Sequence, residues 1–209
     1  YVEYALPHGG LAALLLPDFF GNDHSSDNAF WGFYTKPLAP GNLIAIRHNA
    51  AEIATYVGVL TLLLGLFALV HTLLTKKYDK RVLFWGGMAL LALLMALGTP
   101  LNALLYFGVP GFGQSGSPGR VLVLWAFAWA VLAGFGLDAH LNSAPKAKEV
   151  ALCFALMVGL MVFSALFVWV MLDGKMQGTP YPTFSDAVER IGVGWLRLGV
   201  SLGVGAILL

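Results

Sequence analysis

The chain has 209 residues, of which 58% are hydrophobic and only 11% charged, and its formal net charge is +1 at pH 7. Soluble domains carry about 45–50% apolar and about 25% charged residues, so a globule of this composition would present Leu, Val, Phe and Trp to water and aggregate. The balanced charge excludes the basic footprint of a nucleic-acid-binding protein, and lipid is the solvent that fits.

The chain opens on Tyr1-Val2-Glu3-Tyr4 and closes on the apolar run Gly205-Ala206-Ile207-Leu208-Leu209. With no Met at one end and no polar cap at the other, both ends are expected to be cut from a longer polypeptide. No basic segment precedes an apolar one here, so no signal peptide is expected in these residues. The apolar stretch 10–16 stops at Pro17, which makes it too short to span and points to an interfacial or re-entrant segment. Directly after it, Asp18, Asp23, His24 and Asp27 gather three carboxylates and an imidazole. Such oxygen and nitrogen ligands suit a divalent metal ion, or a carboxylate could take a proton from an acceptor hydroxyl. Their spacing matches no ligand motif, and a solvated turn whose Asn and Asp side chains satisfy their own backbone accounts for them equally.

A helix needs about 20 mostly apolar residues to cross a bilayer, at about 1.5 Å per residue. Residues 53–75, 82–97, 121–141 and 150–172 qualify, and a fifth run starts near 186 and continues to the end. Lys76, Lys77, Lys80 and Arg81 lie between the first two runs, and Lys146 and Lys148 between the third and fourth. With two helices between them, both basic turns fall on one side, the cytoplasmic one by the positive-inside rule. Residues 1–50, 98–119 and 173–185 then face the other side, where Trp31, Tyr34, Tyr106 and Tyr181 suit a membrane interface. The expected architecture is all-α: a polytopic integral membrane helix bundle over 51–209 with about five transmembrane helices, preceded by an extracytoplasmic or interfacial segment over 1–50.

Candidate chemistry is sparse. The glycine-rich loop 110–119 runs into Arg120 at the start of the third run, where backbone N–H groups and a guanidinium could grip phosphate. The loop lacks the Gly-Lys-Ser/Thr ending of a Walker sequence, and Arg120 could equally snorkel to lipid headgroups. In the fifth run Asp186, Arg190, Arg197 and Ser201 are spaced for one helical face. Charges entering a bilayer should face protein or water, so Arg190 and Arg197 are further phosphate-binding candidates; Asp186 as an N-cap with Glu189 three residues on is the alternative. His71 and His140 read as structural, with nothing nearby to complete a metal site or a triad. Cys153, the only cysteine, excludes an internal disulfide and reads as a small buried hydrophobe. Gly199 and Gly203 have the four-residue spacing that permits close helix contact.

Several pieces in order carry a family resemblance: Leu15-Leu16-Pro17-Asp18-Phe19-Phe20-Gly21, Tyr56-Val57-Gly58-Val59-Leu60, Leu97-Gly98-Thr99-Pro100-Leu101, Pro110-Gly111-Phe112, Ser117-Pro118-Gly119-Arg120, and Leu132-Ala133-Gly134-Phe135-Gly136-Leu137-Asp138. Over roughly residues 11–140 the succession resembles the central part of the YfhO-like family of bacterial polytopic membrane proteins, placed among GT-C type glycosyltransferases. The resemblance implies a multi-pass enzyme of the bacterial cytoplasmic membrane that transfers sugar from a polyprenyl-phosphate carrier on the outer face. In such enzymes the catalytic carboxylate lies in an external loop near the N-terminus, upstream of these residues, so no catalytic residue is assigned. Arg120 stands in the family's Pro-x-Arg position and is carried over as a carrier-phosphate contact. The competing reading is a non-catalytic transmembrane subunit of a larger membrane complex, or a transporter-like bundle, with partner helices around it.

Overall fold

The computed structural model describes residues 5–6, 8–17, 35–39, 42–45, 54–75, 79–114, 118–143, 146–172 and 192–208. Six α-helices lie among them: α1 (Val59–Leu74), α2 (Lys80–Ala96), α3 (Pro100–Gly108), α4 (Leu122–Asn142), α5 (Ala147–Leu172) and α6 (Gly192–Leu208). The helical class expected from composition is what the chain adopts. It is joined by a short antiparallel hairpin, β1 (Thr35–Ala39) with β2 (Asn42–Ala45), paired from Thr35↔Ala45 to Ala39↔Asn42. The helical reading left that hairpin out, although Pro40-Gly41 between the strands is a turn signal.

The helix boundaries have local causes. α1 starts six residues after the onset of the apolar run because Gly58 sits at φ +93°, outside the helical region, and its carbonyl accepts the first N–H, from Leu62, at 3.0 Å. At its other end the Thr75 hydroxyl donates to the His71 carbonyl at 2.6 Å and closes the last turn. α2 opens on Asp79, whose carboxylate accepts the Arg81 N–H at 2.9 Å, an N-cap that satisfies one of the orphan donors of the first turn. It stops at Gly98, left-handed at φ +66°, which donates its N–H to Met95 O at 3.0 Å. Pro100 then occupies the first position of α3, where its missing N–H is harmless. The two helices meet at 81°, so part of the expected outer loop 98–119 is a helix turned across the end of α2.

Packing centres on α1 and α4, which run parallel. Gly65 lies against the Trp129 indole, and Gly136 lies against the Leu64 backbone. Leu63, Phe67, Ala128 and Leu132, each wholly buried, fill the seam. α2 runs antiparallel to α4, with Trp85 edge-on to Phe127 at 5.4 Å and the Arg81 guanidinium 5.2 Å above the Phe135 ring. The stretch 10–16, expected to be interfacial or re-entrant, joins this core: His8–Leu14 forms a 3-10 helix packed on α5, and Leu14, Leu15 and Leu16 are buried. Leu6 N–H donates to Ala96 O at 2.8 Å, which fixes the segment at the end where α2 finishes.

The sequence predicts about five spans. Among the described residues one helical stretch, Pro118–Asn142, is long and apolar enough to cross a membrane, and α2 with α3 would make a second only as a bent pair. Val59–Leu74 and the segment Leu196–Gly205 are apolar but shorter. Part of the difference is the start of α1 at Val59 and the break at Gly98, which shorten runs that hydropathy alone reads as longer.

Candidate functional site

Of the phosphate-binding candidates, Arg120 lies in a 3-10 turn, Pro118–Val121, that leads directly into α4, and its side chain is exposed. Gly119 beside it is buried. Arg197 is exposed on α6, and Ser201, one turn further on, is half-buried on the same side. Arg190 and Asp186 lie outside the described residues, as do the metal candidates Asp18, Asp23, His24 and Asp27. Among the described residues no group of three His, Cys, Asp or Glu is placed to hold a metal ion. Gly199 and Gly203 do not make the close approach their spacing suggests, since a Cβ added at either meets nothing within 4 Å; Gly205, two residues beyond Gly203, is the glycine seated against Leu63.

The concentrated chemistry lies at the end of the bundle where α1 finishes and α5 begins. His71 Nδ1 and Glu149 Oε2 are 3.1 Å apart, linking residues 78 positions apart in sequence. Glu149 is 2% exposed. It stands in the first turn of α5, where the helix dipole favours a carboxylate. Glu149, Cys153 and Met157 are all buried, and their four-residue spacing makes one stripe down α5. Phe67 lies between two imidazoles, stacked on His71 at 5.7 Å and edge-on to His140 at 6.2 Å. The His140 Nδ1 is buried without a hydrogen-bond partner. Cys153, wholly buried beside Phe67 and Val70, is the small hydrophobe that its apolar run implied.

A carboxyl group this deeply buried needs a polar partner. The sequence reads His71 as structural, with nothing nearby to complete a metal site or a triad; the fold adds Glu149, 78 positions away, as the partner of its ring. The signal that could have found the carboxylate is its position: alone among its charged neighbours, it shares a helical face with Cys153 and Met157, whereas Lys146 and Lys148 are exposed.

At this same end Arg81 is bound to Asp79, Nε and Nη2 donating to Oδ1 and Oδ2 at 3.2 and 2.9 Å. That side-chain bond, more than any other interaction, holds the Asp79 carboxyl below its ordinary range. Asn142 Nδ2 donates to Asp138 Oδ1 at 2.9 Å. Lys80, Arg81, Lys146 and Lys148 therefore sit together at one end of the bundle, as the two basic turns were expected to do. At the opposite end the Trp125 Nε1–H donates to Thr55 O at 2.9 Å and ties the segment before α1 to α4.

Comparison with protein-family models, with curated proteins and with solved structures finds no match in any of the three.

Proposed function

We propose that this chain is part of a multi-pass membrane glycosyltransferase of the bacterial cytoplasmic membrane. It would transfer sugar from a polyprenyl-phosphate carrier on the outer face, as its resemblance to the YfhO-like family implies. The observation that carries the membrane part is the outward surface of the helices. Val123, Phe127 and Leu141 on α4 are 70%, 56% and 74% exposed, and Leu83, Phe84, Leu90 and Leu91 on α2 also point outward. On α5 the same holds for Leu156, Val162, Phe163, Leu166, Trp169 and Val170. A helix apolar all round belongs in a core or in lipid, and such exposed apolar side chains are what a lipid-facing surface would carry. α5 carries its only charges, Lys148 and Glu149, in its first turn.

What supports the transfer part is the position of Arg120. A guanidinium at the mouth of α4, opposite the basic end, is where a phosphate leaving group on the outer face would be met, and a fixed cation there would stabilise the charge that develops as the sugar departs. The catalytic carboxylate would lie upstream of these residues. The test is Arg120→Ala in the full-length protein, which should abolish sugar transfer while leaving expression, insertion and melting behaviour unchanged. Full activity in that variant removes Arg120 from the mechanism, and labelling that finds Lys77 and Gln114 in one compartment removes the topology.

A further inference from the structure

α3 has its sides reversed relative to a helix on a water-facing surface. Asn102 and Tyr106, four residues apart, share the covered face: Asn102 is 2% exposed, and Tyr106 is half-buried with Gly113 seated on its ring. Pro100, Leu104 and Phe107 share the open face, where Leu104 is 70% and Phe107 75% exposed. Val109, just past the helix end, is exposed as well. In water a surface helix turns its polar residues out and its apolar stripe in. Here the amide and the phenol turn in, and the leucine and phenylalanine turn out.

From Val82 to Gly119, through α2, the bend, α3 and the loop that follows, there is no Asp, Glu, Lys, Arg or His. A surface built for water carries about 25–35% charged residues, so the open face of α3 does not belong to an aqueous loop. α3 turns 81° from α2, at the end of the bundle opposite Lys80, Arg81, Lys146 and Lys148. A helix so turned runs along the plane of a membrane that the bundle crosses. Its nine residues reach only about 13 Å, less than half of the roughly 30 Å of hydrocarbon. At the same end Val123 and Leu124 open α4 with exposed side chains, and Leu90 and Leu91 are exposed toward the end of α2, so apolar surface continues up to the bend. A protein gripping α3 alone would find three large side chains, against about 20–30 residues a side in a stable interface.

Resting on the membrane reading above, we propose that α3 lies flat in the outer leaflet. Leu104 and Phe107 are seated among phospholipid acyl chains, about 5–10 Å below the headgroup boundary, and Asn102 and Tyr106 are turned to the bundle.

The test uses the full chain in phosphatidylcholine–phosphatidylglycerol vesicles. Cys153→Ala removes the native thiol, and one nitroxide at a time is attached after Leu104→Cys, Ala130→Cys or Lys146→Cys. Ala130 is exposed near the middle of α4, and Lys146 is exposed at the basic end. Collision with dissolved oxygen, which concentrates in hydrocarbon, is compared with collision with a water-soluble nickel chelate. The oxygen-to-nickel ratio should be highest at 130 and lowest at 146, with 104 severalfold above 146 and below 130. Nickel-dominated collision at 104 beside oxygen-dominated collision at 130 overturns the seat of α3 and leaves the membrane reading standing; nickel-dominated collision at both removes the two together. A ratio at 104 equal to that at 130 means a re-entrant bend, and shielding from both reagents means a protein cover; either overturns the proposal. Should Cys153→Ala fail to fold, the wild-type chain is photolabelled by a diazirine carried on a phospholipid acyl chain. Adducts on residues 100–109 support the proposal, and their absence there overturns it.

Discussion

Replacing Gly136 with alanine places a methyl group on the backbone of α1. An added Cβ overlaps the Leu64 carbonyl oxygen and lies 2.6 Å from its carbon and 3.2 Å from its Cα. Carbon atoms in contact prefer about 3.5–4.0 Å, so α1 and α4 must part by about 1 Å, and no side chain can rotate away because the obstacle is backbone. Forced overpacking typically costs about 1–3 kcal/mol. Against it stands the better helix propensity of alanine, at most about 1 kcal/mol. With the obstacle rigid, the upper part of the range applies, and the net loss is about 2 kcal/mol. For a chain of this size that lowers the melting temperature by about 4–8 °C. Gly134, two residues earlier on α4, is the control, since a Cβ there meets nothing within 4 Å; Gly134→Ala should melt at or slightly above wild type. Both are read by thermal unfolding in detergent, followed by helical circular dichroism or by exposure of Cys153 to a fluorogenic maleimide. Equal melting temperatures for the two variants, or Gly136→Ala at or above wild type, would refute the close α1–α4 seam.

The Asp79 cap gives a pH signature. Its carboxyl is held below the ordinary value of 3.8, first by the Arg81 side chain, so its contribution is complete above that value and is lost as pH falls through the lower, folded one. The melting gap between wild type and Asp79→Asn should be constant near neutrality and close in strong acid; a gap that widens in acid contradicts the cap. Trp125→Phe removes the donor to Thr55 O while keeping an aromatic side chain, and the lost hydrogen bond alone should lower stability by about 0.5–1.5 kcal/mol. Hydrogen exchange at residues 54–62 should rise in this variant more than at residues 80–96, and uniform change along the chain would dissociate that bond from the anchoring of α1.

How far the residues announce the structure depends on how local the cause is. α4 was expected over 121–141 and runs Leu122–Asn142, because its apolar run is uninterrupted and bounded by Arg120 and Asn142. α5, expected from 150, begins three residues earlier, at Ala147, and keeps its expected end at Leu172. α1 and α2 were harder: apolar content continues across Gly58 and toward Gly98, and backbone dihedrals rather than hydropathy decide where the helices begin and end. α3 was missed for the same reason, since a Gly-Thr-Pro sequence reads as loop when it is in fact a helix end followed by a new helix start. The buried pair was not legible at all, because nothing near His71 in sequence carries its partner. A lone carboxylate on an apolar stripe was the available hint.

The parallel contact of α1 with α4 also has a consequence for how the chain is made. Leu64 and Gly136 are separated by roughly seventy residues, so a ribosome finishes α1 many seconds before its closest neighbour exists, at about 5–20 residues per second. Until then the seam around Gly65 and Leu63 lacks its α4 partner. At Gly65 that early helix carries a notch, which the Trp129 indole fills only once α4 is made.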